Sequence, residues 1–259
     1  MNDVTAKAGW DWVRQGFRLF RQQPLEMLSL FFAYMFFNMV LGFIPVIGQF
    51  LPFVLIPVFS LSFMEACRRI ECGQRVLPGL FLSGFRSPAL PRLLLLGVLY
   101  VVAISLAVFA SNLTDDGVFW EFITSQKPLD PKTMSETGLF LGMMTSAIAY
   151  IPAMMAFWYA AVLIAWKNMS VAKAIFFSFF AVHRAGMAFM VYGLGWVAVG
   201  ILVPAMISIL IAVIVGKAYA IVFAMMPVSI ILSVAMYCSF YPTYTDVFGK
   251  PDENDQSAA

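Results

Sequence analysis

The chain of 259 residues is 62% hydrophobic and only 12% charged, and its mean hydropathy is +0.87. Soluble domains average about 45–50% apolar and 25% charged residues, and a soluble fold of this size leaves much of its surface in water. The composition therefore excludes a soluble globular protein and indicates a membrane protein. The net charge of +2 is too small to indicate a nucleic-acid partner.

The first predicted element, in residues 1–24, is a cytoplasmic amphipathic helix. No short apolar region with a small-residue cleavage site occurs in it, so we expect no signal peptide. At helical spacing its aromatic and basic side chains fall on different faces, which is typical of a helix that lies in the membrane interface beside anionic lipid head groups. The candidate lipid-contacting residues are Trp10, Arg14, Phe17, Arg18 and Arg21.

The apolar stretches that follow predict an all-α polytopic membrane protein with six transmembrane helices in three hairpins. A helix needs about 20 apolar residues to cross a hydrocarbon core of roughly 30 Å. Pro52 and Pro57 interrupt the second span, where a re-entrant segment is the alternative. Residues 242–259 are predicted to form a cytoplasmic disordered tail. Within 25–241, the spans are predicted at about 25–45, 47–66, 93–111, 138–166, 187–215 and 218–241.

The basic residues are distributed unequally between the segments that separate these spans. Of the 16 Lys and Arg residues, all but Lys127, Lys132 and Lys217 fall in the N-terminus, two alternate connecting segments and the C-terminal tail. Segments rich in Lys and Arg stay in the cytoplasm. We therefore predict that both termini are cytoplasmic.

The basic segments before the first, third and fifth spans share a pattern of aromatic and basic residues. Each segment precedes a pair of spans, which predicts three units made of an interfacial helix and a transmembrane hairpin. The three helices are expected within residues 10–21, 77–86 and 171–184. Because every unit enters from the same side, the repeat would be parallel rather than inverted.

A polar cluster is predicted where the second span ends. Glu65 and Arg69 are four residues apart, and Glu71 lies three residues from Arg68, so these side chains can pair on one helix. One interpretation is a polar mouth or a lipid head-group site. The other is an ordinary helix end with neutralised charges.

Small residues predict close helix packing on the fourth and fifth spans. Gly138 and Gly142 fall on one helix face, and so do Gly193 and Gly200. Small residues let membrane helices approach closely, either within the chain or between two copies of it. No charged residue lies near the middle of a predicted span, which weighs against an ion-coupled pump.

The sequence carries no motif of a known catalytic class. A nucleophile elbow, a P-loop, a zinc-protease helix and a dinucleotide fingerprint are all missing. His183 is the single histidine, and the three cysteines show no metal-ligand spacing. We predict a protein that is not an enzyme and has no cofactor and no metal.

Several short strings resemble a known family. They resemble uncharacterised six-span inner-membrane proteins of proteobacteria and, more distantly, the membrane domain of some glycerophosphodiester phosphodiesterases. The resemblance implies a multi-pass protein of the bacterial inner membrane and carries over no catalytic residue. The strings are Gly9-Trp10-x-Trp12, Gly16-Phe17-Arg18-Leu19-Phe20-Arg21, Pro45-x-x-Gly48, Glu65-Ala66-Cys67-Arg68-x-Ile70-Glu71-x-Gly73, Pro78-x-Leu80-Phe81-x-x-Gly84-Phe85-Arg86 and Tyr241-x-x-Tyr244-x-Asp246-Val247-Phe248.

Two functions fit these features. The favoured one is a non-catalytic scaffold, assembly or membrane-homeostasis factor, because the basic helices and small-residue faces suit contacts with other membrane components. Its expected partners are anionic lipid head groups and a protein partner or a second copy of the chain. The alternative is a carrier of a small or lipid-like substrate, for which prolines inside the last three spans would supply kinks.

Overall fold

The computed structural model describes residues 4–45, 47–125, 138–214 and 217–251, and these residues form helices and no strands. A 3₁₀ helix covers Pro78–Leu82. The α-helices are α1 (Ala6–Gln22), α2 (Pro24–Gly42), α3 (Ile47–Glu71), α4 (Ser83–Arg86), α5 (Leu90–Ala110), α6 (Asn112–Asp115), α7 (Val118–Ser125), α8 (Leu139–Phe157), α9 (Ala160–Trp166), α10 (Val171–Arg184), α11 (Gly186–Ile214) and α12 (Lys217–Phe248).

Six of these helical stretches are long and apolar enough to cross a membrane, as the sequence predicts. They are α2, α3, α5, α8 with α9, α11 and α12. The second is a continuous helix of 25 residues that contains Pro52 and Pro57. At 1.5 Å per residue it is about 37 Å long, which exceeds a hydrocarbon core of roughly 30 Å. The re-entrant alternative for this span is therefore wrong.

The C-terminal end of the last span differs from the prediction. Helix α12 continues to Phe248, so residues 242–248 are helical instead of belonging to a tail. They stay helical because Tyr244 and Val247, three residues apart, are both buried against the bundle. The rest of the predicted tail from 252 onward lies outside the described residues. So do Lys127 and Lys132 of the predicted external loop, and Gly216 between the last two predicted spans.

The second helix of each hairpin lies further inside the bundle than the first. In the most apolar part of α3, 61% of the residues are buried, compared with 17% in α11. The outer helices α2, α5 and α11 therefore leave long apolar faces exposed. Such faces are stable only against lipid or another membrane protein, which agrees with a membrane-spanning bundle.

The short helices that precede the three hairpins link the three units of the bundle in a ring. Helix α1 packs on α11 and α12, the 3₁₀ helix and α4 pack on α2 and α3, and α10 packs on α8 and α9. Each short helix thus docks on the hairpin of the preceding unit, and the first docks on the last. Three units are held together by contacts between neighbours.

Candidate functional site

Helix α1 is docked into the bundle by a stripe of small and aromatic residues. A Cβ atom at Gly9 would lie 2.8 Å from the backbone nitrogen of Tyr192, and one at Gly16 would lie 2.7 Å from the carbonyl oxygen of Ala235. Trp12 between them is fully buried, and its Nε1 donates a 2.7 Å hydrogen bond to Asp246. Only glycine allows backbones to approach this closely, so α1 is fixed in position.

The buried face of α1 differs from the face that the sequence predicts. Trp10 is 45% exposed, and the edge of its ring lies near Gly195. Phe17 is half-buried and stacks on Trp196 at 5.6 Å between ring centroids. The prediction overlooked the glycines because aromatic side chains dominate a search for an apolar face, whereas close packing is decided by small residues.

The opposite face of α1 is basic. Arg14, Arg18 and Arg21 are exposed and line a groove of about 900 Å³ together with Asp11 and Asp246. Within residues 4–45, 47–125, 138–214 and 217–251, none of the three guanidinium groups forms a hydrogen bond or an ion pair. Three cationic groups on a firmly held helix form a surface that suits anionic groups.

The polar cluster at the end of α3 forms in part as predicted. The carboxylate of Glu65 is buried and accepts hydrogen bonds from Arg68 Nε and Nη2 at 2.9 and 2.8 Å. Arg69 Nε lies 3.4 Å from the same carboxylate. The guanidinium of Arg68 also lies over the ring of Trp166, 5.9 Å from its centroid, which connects α3 to α9.

Glu71 is oriented differently from the prediction. Instead of pairing with Arg68, it accepts a 2.8 Å hydrogen bond from the hydroxyl of Tyr241, and its other oxygen lies 3.2 Å from Lys250 Nζ. The cluster therefore connects α3 to the end of α12, which explains its position without a ligand. The helical spacing of Glu71 and Arg68 could not reveal a partner 170 residues away.

An interruption of the fourth span was not predicted. The span turns at 158–159 between α8 and α9. There the hydroxyl of Ser178 on α10 accepts a hydrogen bond from the Tyr159 backbone nitrogen and donates one to the Met155 carbonyl oxygen, each 2.9 Å long. These backbone groups would bond to each other in a regular helix. The hydroxyl is thus inserted into the helix and satisfies both of them.

The four glycines predicted to pack between helices have different environments in the structure. Gly142 packs directly on the carboxylate of Asp115, where a Cβ atom would collide, whereas Gly138 lies before α8 with a φ of +68°. Gly193 and Gly200 are exposed, and a Cβ atom at either would meet none of the described residues within 4 Å. The prediction that these two glycines pack against a helix of the same chain is therefore wrong, because their face points away from the bundle. Packing between two copies of the chain stays a prediction.

The chain is similar to a protein of Burkholderia thailandensis named as a probable inner membrane protein. The two are 40% identical over 252 residues, which cover 95% of this chain and 93% of that relative. No family model matches the chain, and no solved structure matches it. The similarity extends over all six spans.

Proposed function

The chain belongs to the family of this probable inner membrane protein of Burkholderia thailandensis, and we propose that it acts in the inner membrane as a non-catalytic scaffold that binds a partner protein. It is a multi-pass protein of the inner membrane. The observation that carries the proposal is the basic face of α1, formed by Arg14, Arg18 and Arg21. A rigid basic surface loses little conformational entropy when an acidic partner binds.

The ring of docked helices also supports a scaffold. Each short helix packs on a neighbouring hairpin, so a partner bound to α1 would contact an element that is anchored on α11 and α12. The contacts of Gly9, Trp12 and Gly16 fix the helix backbone that carries the arginines. The distant resemblance to the membrane domain of glycerophosphodiester phosphodiesterases stays a prediction and carries no part of this proposal.

We further propose that both termini and the basic face of α1 lie in the cytoplasm. The charge distribution supports this orientation, since thirteen of the 16 Lys and Arg residues fall on the side of the termini. Fusions at the C-terminus test it. A fluorescent protein that matures only in the cytoplasm should fluoresce, and a fused periplasmic phosphatase should be inactive. The reverse result would overturn the orientation.

The scaffold proposal is tested by replacing Arg14, Arg18 and Arg21 together with glutamine. The tagged protein is purified from its native membrane in mild detergent, and the associated proteins are identified and quantified by mass spectrometry. We expect a stoichiometric partner with the unchanged chain and its loss with the triple variant, while the amount of inserted protein stays the same.

A matched control removes three exposed positive charges elsewhere. Arg75, Arg86 and Lys173 are exposed and lie outside α1. Their replacement by glutamine should leave the partner bound. If the α1 variant retains its partner, or if both triple variants lose it equally, the basic face of α1 is not the contact. Added vesicles rich in phosphatidylglycerol show whether anionic head groups compete for the same face.

A carrier of a lipid-like substrate is the second candidate, and the interrupted fourth span favours it. Discontinuous helices at membrane depth are frequent at the binding sites of transporters. Spin labels at cysteines introduced for Met144 and Asn168, on either side of the interruption, would report its motion in a chain in which serine replaces Cys72. Two distance populations would support a carrier, and a single narrow population would contradict it.

A further inference from the structure

A cavity of about 360 Å³ lies between the helices of the bundle. It is reached by α2, α3, α5, α8, α9 and α12, so that all three units contribute to its wall. Small-molecule sites in proteins commonly have volumes of about 300–1,000 Å³. The cavity is therefore large enough for a ring-sized chemical group.

The cavity lies near the middle of the membrane. Tyr34 and Tyr100 each lie ten residues after the first residue of their helices, α2 and α5. Ser60 and Tyr237 each lie eleven residues before the last residue of theirs, α3 and α12. These four ends belong to the same side of the bundle. At 1.5 Å per residue the cavity is about 15 Å from that side, half of a hydrocarbon core.

Aromatic rings form most of the wall. Tyr100 lies 5.3 Å from Phe157 and 6.1 Å from Tyr150 between ring centroids. On the other side, Tyr237 stacks on Phe63 at 4.5 Å. None of the described residues that line the cavity is charged. Because a charge at the bilayer centre is costly, a ligand here must be neutral, and flat rings favour a planar one.

A hydroxyl group in the wall lacks a regular hydrogen bond. The side-chain oxygen of Tyr150 is buried and makes no hydrogen bond of regular geometry in the part of the chain that the structure describes, although the hydroxyl of Tyr100 lies close to it. Leaving such a group unsatisfied in an apolar region costs free energy, so a ligand with a hydrogen-bond acceptor would be stabilised there. The cavity is also accessible from the side of the bundle, because Met154 on its wall is 41% exposed.

We infer that this cavity binds the head group of a quinone dissolved in the membrane, with the hydroxyl of Tyr150 donating a hydrogen bond to a quinone carbonyl oxygen. A quinone head is neutral, planar and rich in acceptors, and its apolar tail keeps it within the hydrocarbon core. This binding requires no change of the quinone's oxidation state. The inference is independent of the scaffold function, since the basic face of α1 takes no part in it.

The experiment measures binding of a short-tailed ubiquinone to the full chain in nanodiscs of phosphatidylethanolamine and phosphatidylglycerol. Quinones quench indole fluorescence, and Trp158 lies in the cavity wall. We expect saturable quenching with one quinone per chain. Tyr150→Phe keeps the ring and removes the hydroxyl, so it should weaken binding about five-fold. Ser60→Leu fills the cavity and should abolish saturable quenching.

Tyr241→Phe is the matched control, because it removes a tyrosine hydroxyl at the far end of α12, outside the cavity. Its affinity for the quinone should equal that of the unchanged chain. Quenching that never saturates, or that Tyr150→Phe and Ser60→Leu leave unchanged, would overturn the inference. A phospholipid that co-purifies with the chain and that quinone fails to displace would overturn it as well, and would assign the cavity to an acyl chain.

Discussion

Two of the short helices dock through a glycine, whereas the third docks through a serine, although all three dock on the inner helix of the preceding hairpin. Gly16 of α1 lies on Ala235 of α12, and Gly84 of α4 lies on Val58 of α3. Both inner helices remain continuous at these contacts. Ser178 of α10 lies where the fourth span is interrupted.

The difference shows how one hydroxyl changes a membrane helix. A glycine lets two backbones touch and has no side-chain group that could replace a backbone hydrogen bond of the helix on which it docks. The hydroxyl of Ser178 bonds to both Met155 and Tyr159, and it thereby replaces the bond that these residues would make with each other. Such a substitution is tolerated in a membrane because no backbone group is left unsatisfied.

The largest expected effect comes from filling a glycine contact. Gly16→Val would place side-chain atoms against the backbone of α12, where even a Cβ atom would lie 2.7 Å from the Ala235 carbonyl oxygen. Backbone cannot yield as a flexible side chain does, so we expect no stable, monodisperse protein in detergent. Size-exclusion chromatography and thermal unfolding measure this.

Gly193→Val is the control for this prediction. It makes the same change in a membrane helix at a position where a Cβ atom would meet nothing within 4 Å. We expect its unfolding temperature to stay close to that of the unchanged chain. Equal damage from both substitutions would show that valine itself disturbs the helices and that the contact of α1 is not tight.

The second effect tests the serine contact. Ser178→Ala removes the partner of two buried backbone groups, at Met155 and Tyr159, and we expect the free energy of unfolding to fall by about 2–3 kcal/mol. The thermal or denaturant midpoint in detergent reports it. Ser29→Ala is the control, because Ser29 makes only an exposed bond within its own helix. A loss no greater than that of the control would contradict the bridging role.

The spans were predictable from the sequence, and the contacts between them were not. Crossing a bilayer requires about 20 consecutive apolar residues, and such stretches are visible without knowledge of any partner. Contacts depend on which face of a helix meets which neighbour. Gly9 and Gly193 look alike in sequence, yet a Cβ atom at Gly9 would lie 2.8 Å from the backbone nitrogen of Tyr192, whereas one at Gly193 would meet none of the described residues within 4 Å.

The polar cluster illustrates the same limit for a candidate site. Pairing of Glu65 with Arg68 and Arg69 follows from helical spacing, and the structure contains it. The bond between Glu71 and Tyr241 joins two helices, so no spacing rule reports it. The aromatic cavity could not be predicted for the same reason. Six helices contribute to its wall, and its residues are spread along the sequence from Tyr34 to Phe240.

The third effect tests the side-chain hydrogen bond that joins α1 to Asp246 of α12. Trp12→Phe keeps an aromatic ring in the contact and removes the 2.7 Å bond. A buried hydrogen bond to a carboxylate contributes about 1.5 kcal/mol or more, and we expect a loss of this size in the free energy of unfolding. Denaturant unfolding of the Trp12→Phe variant, read by circular dichroism, measures it.

Asp246→Ala completes a double-mutant cycle for this bond. If Trp12 and Asp246 stabilise the protein through one bond, the double variant should lose less stability than the sum of the two single variants. Strict additivity would mean that each residue acts through other contacts. The contact of α1 would then depend on its glycines and apolar side chains, whereas the contact of α4 includes hydrogen bonds to Ser62 of α3.

The smallest effect is expected at the edge of the bundle, where Glu71 meets one buried and one exposed partner. The side chain of Lys250 is 74% exposed, and its ion pair with Glu71 at 3.2 Å is accessible to salt. Exposed ion pairs contribute about 0.2–1 kcal/mol, so Lys250→Gln should lower stability by less than 1 kcal/mol, and less still in high salt. Tyr241→Phe removes a shorter bond to the same carboxylate and should lower stability more, with little dependence on salt.

If Lys250→Gln proved the more destabilising change, the end of α12 would be held by its charge. The connection between α3 and α12 would then have to be reassigned to the exposed ion pair.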